Sequence, residues 1–548
     1  MRLLRLAANA LLSALLFAIL LAILIVDLNI NLTITPDVLL KLTLWMMVAY
    51  GLPAALIVMI AAAAYRFVSG RKRTLAIVDP AFLALSTPCL ILAALIVFRE
   101  NTAYFAAFFV PGFQSAINTQ IMALFILAVA GLIAHYEYRH VSPRRLFFVL
   151  YFGLAAAVLG LTIGERLRFP PPPGPPRPAA FKPAFSERHI TLLGLEGLSF
   201  DFILPLAGEG KLPNFTALME NGSWGHLESF TPNDPFILRH TLNTGKSPGK
   251  HRLISDIRYS LPGLERALEV VPRFILFRQL TRLRILKIEP NDAPPRVKDL
   301  WTIMAEAGAS TLAMDVPAHD ILPAAPDPRA EKTFLTFFKD YQAETARLIV
   351  IARRAVLRDA EAEERAFQLK AERSPQVFSL FLDGLNTVES VFYKYSVPEV
   401  FGEIRQEEIQ KYGPIIRKYY QFYDQIIGKA MTARKEDELL IVYSAHGIEP
   451  LPYWKRLVEW VLGNASVSAY HEQAPDGAVF VFGGGVEKGK NVDALKIVDI
   501  LPTLLYYLRL PVGKDMDGVV RGSLFTREFT EENPVSTILS YEGANLRR

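Results

Sequence analysis

The first 168 residues alternate between long apolar runs and short polar connections. A helix needs about 20 apolar residues to cross the hydrocarbon core of a bilayer. Runs of suitable length predict about five membrane-spanning helices, at residues 6–26, 42–65, 81–98, 117–134 and 146–163. The hydrophobic pattern therefore predicts an N-terminal α-helical transmembrane bundle over residues 1–168.

Two stretches of this region have a second interpretation. The run 6–26 has the position of a signal peptide, but its length and the four further runs favour a retained helix. The stretch 103–113 is apolar but short, and it contains Pro111. We interpret it as interfacial or re-entrant, with a sixth span as the alternative.

Positive charges beside the apolar runs predict the orientation of the bundle. Arg2 and Arg5 precede the first run, and clusters of Arg and Lys follow the second and fourth runs. The intervening loops carry few cations. The N-terminus is therefore expected in the cytoplasm. With five crossings of the cytoplasmic (inner) membrane, the C-terminal region is expected on its periplasmic or extracellular side.

Composition excludes several classes of protein. The net charge of +5 derives largely from cations beside the apolar runs, and no basic stripe interleaved with aromatic residues is present, so nucleic acid is not an expected partner. Cys89 is the only cysteine, so no intrachain disulfide can form. Ionisable residues are scarce within the runs, which argues against a proton-coupled transporter.

A proline-rich stretch separates the apolar region from the rest of the chain. Residues 169–186 contain eight prolines, which favour extended polyproline II backbone. This composition predicts a semi-rigid spacer between the membrane bundle and a soluble domain over residues 187–548.

The soluble region alternates continuous apolar runs with amphipathic stretches. Strands are predicted at 189–195, 310–315, 376–382, 438–444 and 477–483. Helices are predicted at 341–372 and 406–432. This alternation predicts an α/β domain whose mostly parallel central sheet is covered on both faces. Functional residues are then expected at the carboxyl ends of the strands.

Five ordered blocks of the soluble region resemble a known group of proteins. They are LLGLEGLSFDF, TGKSPGKH, IVYSAHG, YHEQAPDGAVFVFGG and KIVDILPTLLYYLRLPVGKDMDG. Together they resemble the alkaline phosphatase superfamily, most closely its type I phosphodiesterase/nucleotide pyrophosphatase branch, with sulfatases as more distant relatives. The resemblance implies an alkaline-phosphatase-like fold. It also implies a hydrolytic site with two divalent metals, usually zinc, and a Thr or Ser nucleophile.

The resemblance also places the nucleophile and the first metal ligand. The nucleophile position falls on Pro235, which has no hydroxyl group. The strand-end Asp of the family falls on Glu196, whose carboxylate reaches further from the backbone. We interpret Asp383 as a turn residue, because it precedes the next ligand position by three residues and is followed by Gly384.

The remaining ligand positions are only partly filled by groups that bind metals. The Asp-x-x-x-His pair of the family falls on Asn386 and Ser390, the Asp-His pair on Ala445 and His446, and the final His on His471. The two-metal site is therefore expected to be absent, with zinc or another divalent metal at low occupancy at most. The retained candidates, which include Glu196, either serve a single metal or ligand or are hydrogen-bonded remnants.

Three functions follow from these features. The first is a membrane-anchored, extracytoplasmic pseudoenzyme that binds an envelope protein or an anionic phosphorylated ligand. The second is an active hydrolase or transferase acting on phosphodiesters, or on phosphorylated or sulfated envelope lipids or glycans. The third is a transport or assembly subunit in which the spans carry the function. The missing nucleophile favours the first, and the bilayer is an expected partner in each case.

Overall fold

The structure, a computed structural model, describes residues 2–69, 75–110, 112–140, 144–169, 179–180, 187–273, 277–291, 297–315, 328–342, 346–461, 465–493, 495–542 and 544–545. The helices are α1 Arg2–Leu28, α2 Pro36–Met46, α3 Leu52–Ser69, α4 Pro80–Tyr104, α5 Phe113–His140, α6 Arg144–Leu167, α7 Phe200–Gly208, α8 Pro213–Asn221, α9 Pro235–Thr244, α10 Pro248–His251, α11 Phe277–Arg282, α12 Leu300–Ala307, α13 Pro328–Phe338, α14 Arg347–Arg373, α15 Gly384–Ser396, α16 Gln406–Tyr412, α17 Pro414–Thr432, α18 Tyr453–Val461, α19 Ile500–Tyr507 and α20 Arg527–Glu532. The strands are β1 Ala179–Ala180, β2 His189–Leu195, β3 Ser223–Glu228, β4 Ile257–Ser260, β5 Lys287–Pro290, β6 Thr311–Asp315, β7 Val377–Leu382, β8 Glu438–His446, β9 Glu449–Pro450, β10 Ala469–Tyr470, β11 Asp476–Phe482, β12 Lys490–Asn491, β13 Leu495–Lys496, β14 Val512–Gly513, β15 Thr537–Ile538 and β16 Ala544–Asn545.

The chain divides into two compact units. The membrane unit comprises Met1–Gly174 and Pro248–Pro294, and the sheet unit comprises Pro175–Ser247 and Pro295–Arg548. The proline-rich stretch predicted as a linker lies almost entirely outside the described residues. Its length and stiffness therefore stay predictions.

Apolar helices form the membrane unit. Within the described residues, four helices are long and apolar enough to cross a membrane: Leu3–Leu28, Pro36–Ser69, Pro80–Tyr104 and Phe113–Tyr136. The second runs from α2 through one π-helical turn into α3. The predicted spans from 6 to 134 lie within these four helices. The fifth predicted span lies within α6, where several side chains are outside the described residues, so its crossing stays a prediction.

A polar residue ties α1 to the chain that leads into α4. The Nδ2 atom of Asn9 donates to the carbonyl oxygens of Ala76 and Ile77, both at 3.0 Å. Its Oδ1 atom accepts from the backbone N–H of Asp79 at 2.6 Å. Since Asn9 is fully buried, these bonds supply partners that lipid cannot. They fix the start of α4 against α1.

The segment Pro248–Pro294 is inserted between two parts of the sheet unit in sequence, yet it packs with the membrane helices. Asn29, just after α1, accepts from the N–H groups of Glu269 and Val270 at 2.8 and 2.9 Å. Leu261 and Leu268 are buried in one apolar cluster with residues of α1 and α2. The sequence interpretation placed this segment in the soluble domain, because its local pattern gives no sign of a distant packing partner.

An eight-stranded mixed sheet, counted over the described residues, organises the sheet unit. Its order is β12-β3-β11-β8-β2-β7-β6, with β13 also pairing with β3. Strands β8, β2, β7 and β6 run parallel, as predicted. Strand β11 is antiparallel to both β8 and β3. The short strand β3 was not among the predicted strands.

Alternating side chains of the strands build a core on each face of the sheet. Leu440 and Val442 of β8 join the cluster under α7, α8, α14, α15 and α17. Leu439 and Ile441 join the cluster under α9, α12 and α19. Because successive strand residues point to opposite faces, a strand covered on both sides is apolar throughout. This confirms the predicted α/β architecture.

The predicted helix 406–432 is two helices in the structure. Helix α16 ends at Tyr412, and α17 begins at Pro414. Proline lacks a backbone N–H and clashes with the preceding turn, so it is tolerated at the start of a helix rather than inside one. The predicted helix 341–372 corresponds mainly to α14, which begins at Arg347.

Candidate functional site

Parallel pairing of β2 and β8 brings two of the retained residues together. Gly194 of β2 lies opposite Tyr443 of β8, so the ends of the two strands are adjacent. Glu196 follows β2 and His446 ends β8. The Oε2 atom of Glu196 lies 3.0 Å from Nε2 of His446, with side chains 2% and 0% exposed. The two groups therefore form a buried ion pair at the carboxyl edge of the sheet.

The ring of His446 is held on both sides. Its Nδ1 lies 2.8 Å from the carbonyl oxygen of Gly447, so Nδ1 carries a proton and donates to it. Burial lowers the pKa of His446, but the adjacent Glu196 carboxylate and the Gly447 carbonyl outweigh burial and raise the pKa above its ordinary value. Both of these neighbours therefore favour the charged form of the His446 ring.

His471 reaches the same edge from the loop before β11. Its ring stacks on that of His446, with centroids 4.8 Å apart and planes inclined by 24°. Burial, and then the charge of His446, lower the pKa of His471 to about 3. His471 is therefore neutral near pH 7.

The donor set does not fit the two-metal site of the family. An imidazole binds zinc through an in-plane lone pair at about 2.0–2.1 Å. The rings of His446 and His471 stack on each other, so each ring packs against the other rather than around a shared ion. The remaining carboxylate, Glu196, is already paired with His446. No group of three or more His, Cys, Asp or Glu side chains able to hold a metal occurs within the described ranges.

The nucleophile position lies at the start of helix α9. Pro235 occupies the first turn, and the side chain of Asp234 caps the helix by accepting from the N–H of Ile237 at 3.1 Å. Proline and a capping aspartate are favourable at a helix N-terminus. The same arrangement supplies no hydroxyl, and it puts a carboxylate where helix N–H groups otherwise attract anions.

Helix α15 carries the two positions that resemble the Asp-x-x-x-His pair. Ser390 donates its hydroxyl to the carbonyl oxygen of Thr387 at 2.8 Å, so it is engaged within its own helix. Asn386 has a buried Oδ1 atom with no hydrogen-bond partner among the described residues. Neither side chain supplies the charge of the group that the family has there.

Glu389, on the same helix, was missed by the sequence analysis. It is fully buried, and burial raises its pKa well above the ordinary value despite a hydrogen bond from Tyr420 at 3.3 Å. A Cβ atom on Gly197, whose φ is +98°, would lie 2.5 Å from Glu389 Oε2. The turn after Glu196 therefore requires glycine. The available signal was the i, i+3 spacing of Asn386 and Glu389, which puts them on one helix face.

Asp383, which follows strand β7, also forms a contact with helix α14. It forms an ion pair with Arg358 of α14. The neighbouring Asp359 is buried and accepts from the Tyr419 hydroxyl at 2.8 Å and from the N–H of Gly384 at 3.1 Å. Burial raises the pKa of Asp359 to about 6. These contacts fix the start of α15, and with it the position of Asn386.

A second cluster of charges joins two blocks of the family resemblance. The Nζ atom of Lys246, in TGKSP, lies 2.5 Å from Asp515 of the DMDG turn and 2.7 Å from Glu542. The N–H of Ser247 donates to Asp517 at 2.8 Å. Burial alone raises the pKa of Glu542, but hydrogen bonds from Lys246 and Ser540 lower it to about 2. The turn 515–518 is thus joined to the TGKSP segment by an ion pair and a hydrogen bond.

The profile of the type I phosphodiesterase/nucleotide pyrophosphatase family matches residues 190–490. No curated protein sequence matches the chain. Among solved structures, the chain is similar to the phosphonate monoester hydrolase SpPMH from Silicibacter pomeroyi, with 14% identity over 62% of this chain and 76% of that chain, at a TM-score of 0.36. Because that profile matches more than half of the chain, the chain belongs to the type I phosphodiesterase/nucleotide pyrophosphatase family of the alkaline phosphatase superfamily.

Proposed function

We propose that this membrane-anchored protein is a pseudoenzyme, whose phosphodiesterase-like domain binds an envelope component without hydrolysing it. The observation that carries the proposal is the direct pairing of Glu196 with His446. A metal ion could bind the Glu196 carboxylate or the His446 imidazole only by separating this buried ion pair. Superfamily members are typically dependent on divalent metals, so loss of that capacity removes the usual source of catalysis.

The nucleophile position gives independent support. Covalent catalysis in this superfamily needs a hydroxyl group that can attack phosphorus, and Pro235 has none. Asp234 adds a negative charge beside it, which disfavours an anionic phosphate at the same place. An uncharged segment of an envelope protein is therefore favoured over a phosphorylated ligand at this edge.

The test of catalysis uses the full chain in detergent micelles. Hydrolysis of a nitrophenyl phosphodiester and a nitrophenyl phosphomonoester is measured with zinc or manganese added, together with the metal content of the purified protein. We expect no turnover above buffer and substoichiometric metal. Turnover that His446→Ala or His471→Ala abolishes would establish the alternative, an active metal-dependent hydrolase or transferase.

Helix α18 supplies a surface for the proposed binding role. It lies in sequence between His446 and His471, and it exposes Tyr453, Trp454, Leu457 and Trp460 by 55–78%. Exposed aromatic clusters mark interaction surfaces more often than chance exposure does. A photoreactive residue at position 457 should crosslink to an envelope protein in cells. The same residue at position 204, a leucine that is 46% exposed on α7, is the control. Equal crosslinking at both positions, or none, would contradict this role of α18.

The proposal also places the sheet unit outside the cytoplasm. The cation asymmetry of the loops supports this location, provided that the predicted fifth span, 146–163, also crosses the membrane. A reporter that is active only in the periplasm, fused after Arg548, should be active, whereas a cytoplasm-dependent reporter should be inactive. The opposite pair of results would reverse the topology and would remove the envelope from the proposed function.

A further inference from the structure

A cavity of about 730 Å³ lies within the membrane unit, between helices α3 and α4. Pockets for small molecules typically measure about 300–1,000 Å³, so this volume is large enough for a substantial ligand. Both helices are among those long and apolar enough to cross a membrane. The cavity is independent of the phosphodiesterase-like site, and so is the inference drawn from it.

The lining of the cavity changes in character along the helices. Tyr65, Arg66 and Ser69 lie in the last turns of α3, and Asp79 caps the start of α4. Further into the span the lining is apolar and includes Val58 and Leu85. The cavity therefore has a polar part near the end of the span and an apolar part along the span. These two parts correspond to the headgroup and the acyl chains of a lipid molecule.

The cavity opens on the outer surface of the helices. Leu85 is 45% exposed, and Cys89, one turn further along α4, is also exposed. The neighbouring Ile57 and Ile60 of α3 are 66% and 61% exposed. Such a surface on a membrane-spanning helix contacts bilayer lipid, so lipid is the molecule with direct access to the cavity.

Some of the polar side chains that line the cavity already form hydrogen bonds within the protein, and others do not. Asp79 accepts from the N–H groups of Phe82 and Ala76, at 3.1 and 3.4 Å. His135 shares a hydrogen bond of 2.8 Å with the carbonyl oxygen of Ala81. The Asp79 carboxylate and the His135 imidazole are therefore already hydrogen-bonded to backbone groups at or just before the start of α4.

Three polar side chains near the end of α3 have no such hydrogen-bond partners among the described residues. Among the described residues, Tyr65 and Arg66 have no hydrogen-bond or ion-pair partner, and the buried Oγ atom of Ser69 has none either. All three can donate hydrogen bonds, and Arg66 is positively charged. A guanidinium with nearby hydroxyl donors is suited to bind a phosphate.

We propose that the cavity binds one anionic glycerophospholipid. Its phosphate contacts Arg66, with Tyr65 and Ser69 as hydrogen-bond donors, and an acyl chain lies along Val58, Leu85 and Cys89. Basic pockets between membrane helices are known sites for acidic lipid headgroups. The anionic headgroup is preferred over a zwitterionic one because the uncommitted charge at this end is positive.

The first test uses Cys89 as a probe, since it is the only cysteine of the chain and lines the cavity. The full chain is placed in nanodiscs of phosphatidylcholine, with or without phosphatidylglycerol, and the rate of Cys89 labelling by a membrane-permeable maleimide is measured. We expect phosphatidylglycerol to slow labelling at least fivefold. Equal rates in the two bilayers would contradict the proposal.

Matched variants separate a specific site from a general effect of the bilayer. Arg66→Gln should remove the slowing by phosphatidylglycerol. Arg99→Gln is the control, because Arg99 lies near the other end of α4 and does not line the cavity. If both variants behave alike, Arg66 does not bind the headgroup.

Native mass spectrometry gives a second readout that does not depend on cysteine reactivity. The unmodified protein and Arg99→Gln should each retain one phosphatidylglycerol molecule after removal from anionic nanodiscs, and Arg66→Gln should lose it. Retention of phosphatidylcholine equally well would show that the cavity takes lipid without regard to charge, and would overturn the proposed specificity. A mass without lipid for the unmodified protein would overturn the proposal as a whole.

Discussion

Two charged clusters of the sheet unit differ in what they contribute. Lys246, Asp515 and Glu542 join distant parts of the chain through an ammonium group and two carboxylates. Glu196 and His446 stand at metal-ligand positions of the family, yet they contact each other. The first cluster supports the fold, and the second no longer presents a free metal-binding group. Sequence blocks that resemble a family can therefore preserve its scaffold although other side chains stand at several of its metal-ligand positions.

The difference has a physical basis. A scaffold contact such as Lys246–Asp515 needs complementary charges at a suitable distance, and the surrounding core fixes that distance. A two-metal site needs several ligands and a nucleophile at once, and these act as one unit. Pro235, Asn386 and Ala445 stand at positions of that unit, while the helices α9 and α15 and the strand β8 that carry them are in place.

The largest effect is expected from breaking the first cluster. Lys246→Met should lower the free energy of unfolding by about 3 kcal/mol, because two carboxylates lose their buried cation. Urea unfolding of the full chain in detergent micelles, followed by tryptophan fluorescence, measures the change. Lys211→Met is the control, since the Lys211 side chain is 44% exposed and pairs only with Glu209 among the described residues. Equal midpoints for the two variants would show that Lys246 is no anchor.

A smaller loss is expected at the second cluster. Glu196→Ala should lower the free energy of unfolding by about 2 kcal/mol, because His446 keeps its burial and loses its partner. The double variant Glu196→Ala/His446→Ala should be less destabilised than the sum of the single variants by about 1 kcal/mol. A strong chelator should leave all midpoints unchanged. A chelator-induced drop in the unmodified protein would instead reveal a bound metal.

The two clusters should also differ in how much they contribute to the loss of unfolding free energy at acidic pH. The folded pKa of Glu542 is lowered to about 2, so its stabilising contribution is present above its ordinary pKa of 4.5 and is lost as the pH falls toward 2. Between pH 5 and pH 3 this should amount to about 1–2 kcal/mol of unfolding free energy. Lys246→Met should flatten that part of the profile, and Glu196→Ala should not. Parallel profiles for all three proteins would assign the acid sensitivity to other groups.

The last substitution is expected to leave the phosphodiesterase activity unchanged. Pro235→Thr supplies the missing hydroxyl, but no metal pair is present to lower its pKa or to neutralise phosphate, so nitrophenyl phosphodiester hydrolysis should stay at the buffer rate. Only the combination with Glu196→Asp, Asn386→Asp, Ser390→His and Ala445→Asp has the groups of the family site. Turnover by Pro235→Thr alone would mean that the second cluster still supports catalysis.

The sequence by itself determined four apolar helices of the membrane unit and the α/β class of the sheet unit. Apolar runs of membrane length predicted the helices that contain 6–26, 42–65, 81–98 and 117–134, because a bilayer imposes a minimum length on a span. Apolar strands separated by amphipathic helices predicted a sheet covered on both faces, since that arrangement leaves no polar face on the strand. The absence of a hydroxyl at Pro235 was likewise readable without coordinates.

Contacts between distant parts of the chain were decided only by the tertiary structure. The sequence left open whether Glu196 and His446 serve a metal or ligand or are hydrogen-bonded remnants, and parallel pairing of β2 with β8 puts them 3.0 Å apart. Nothing in the sequence predicts a contact between Lys246 and Glu542, which are almost 300 positions apart. The sequence also gave no reason to pack Leu261 against the membrane helices. Local patterns specify which face of an element is apolar, but which surfaces meet depends on the packing of the whole chain.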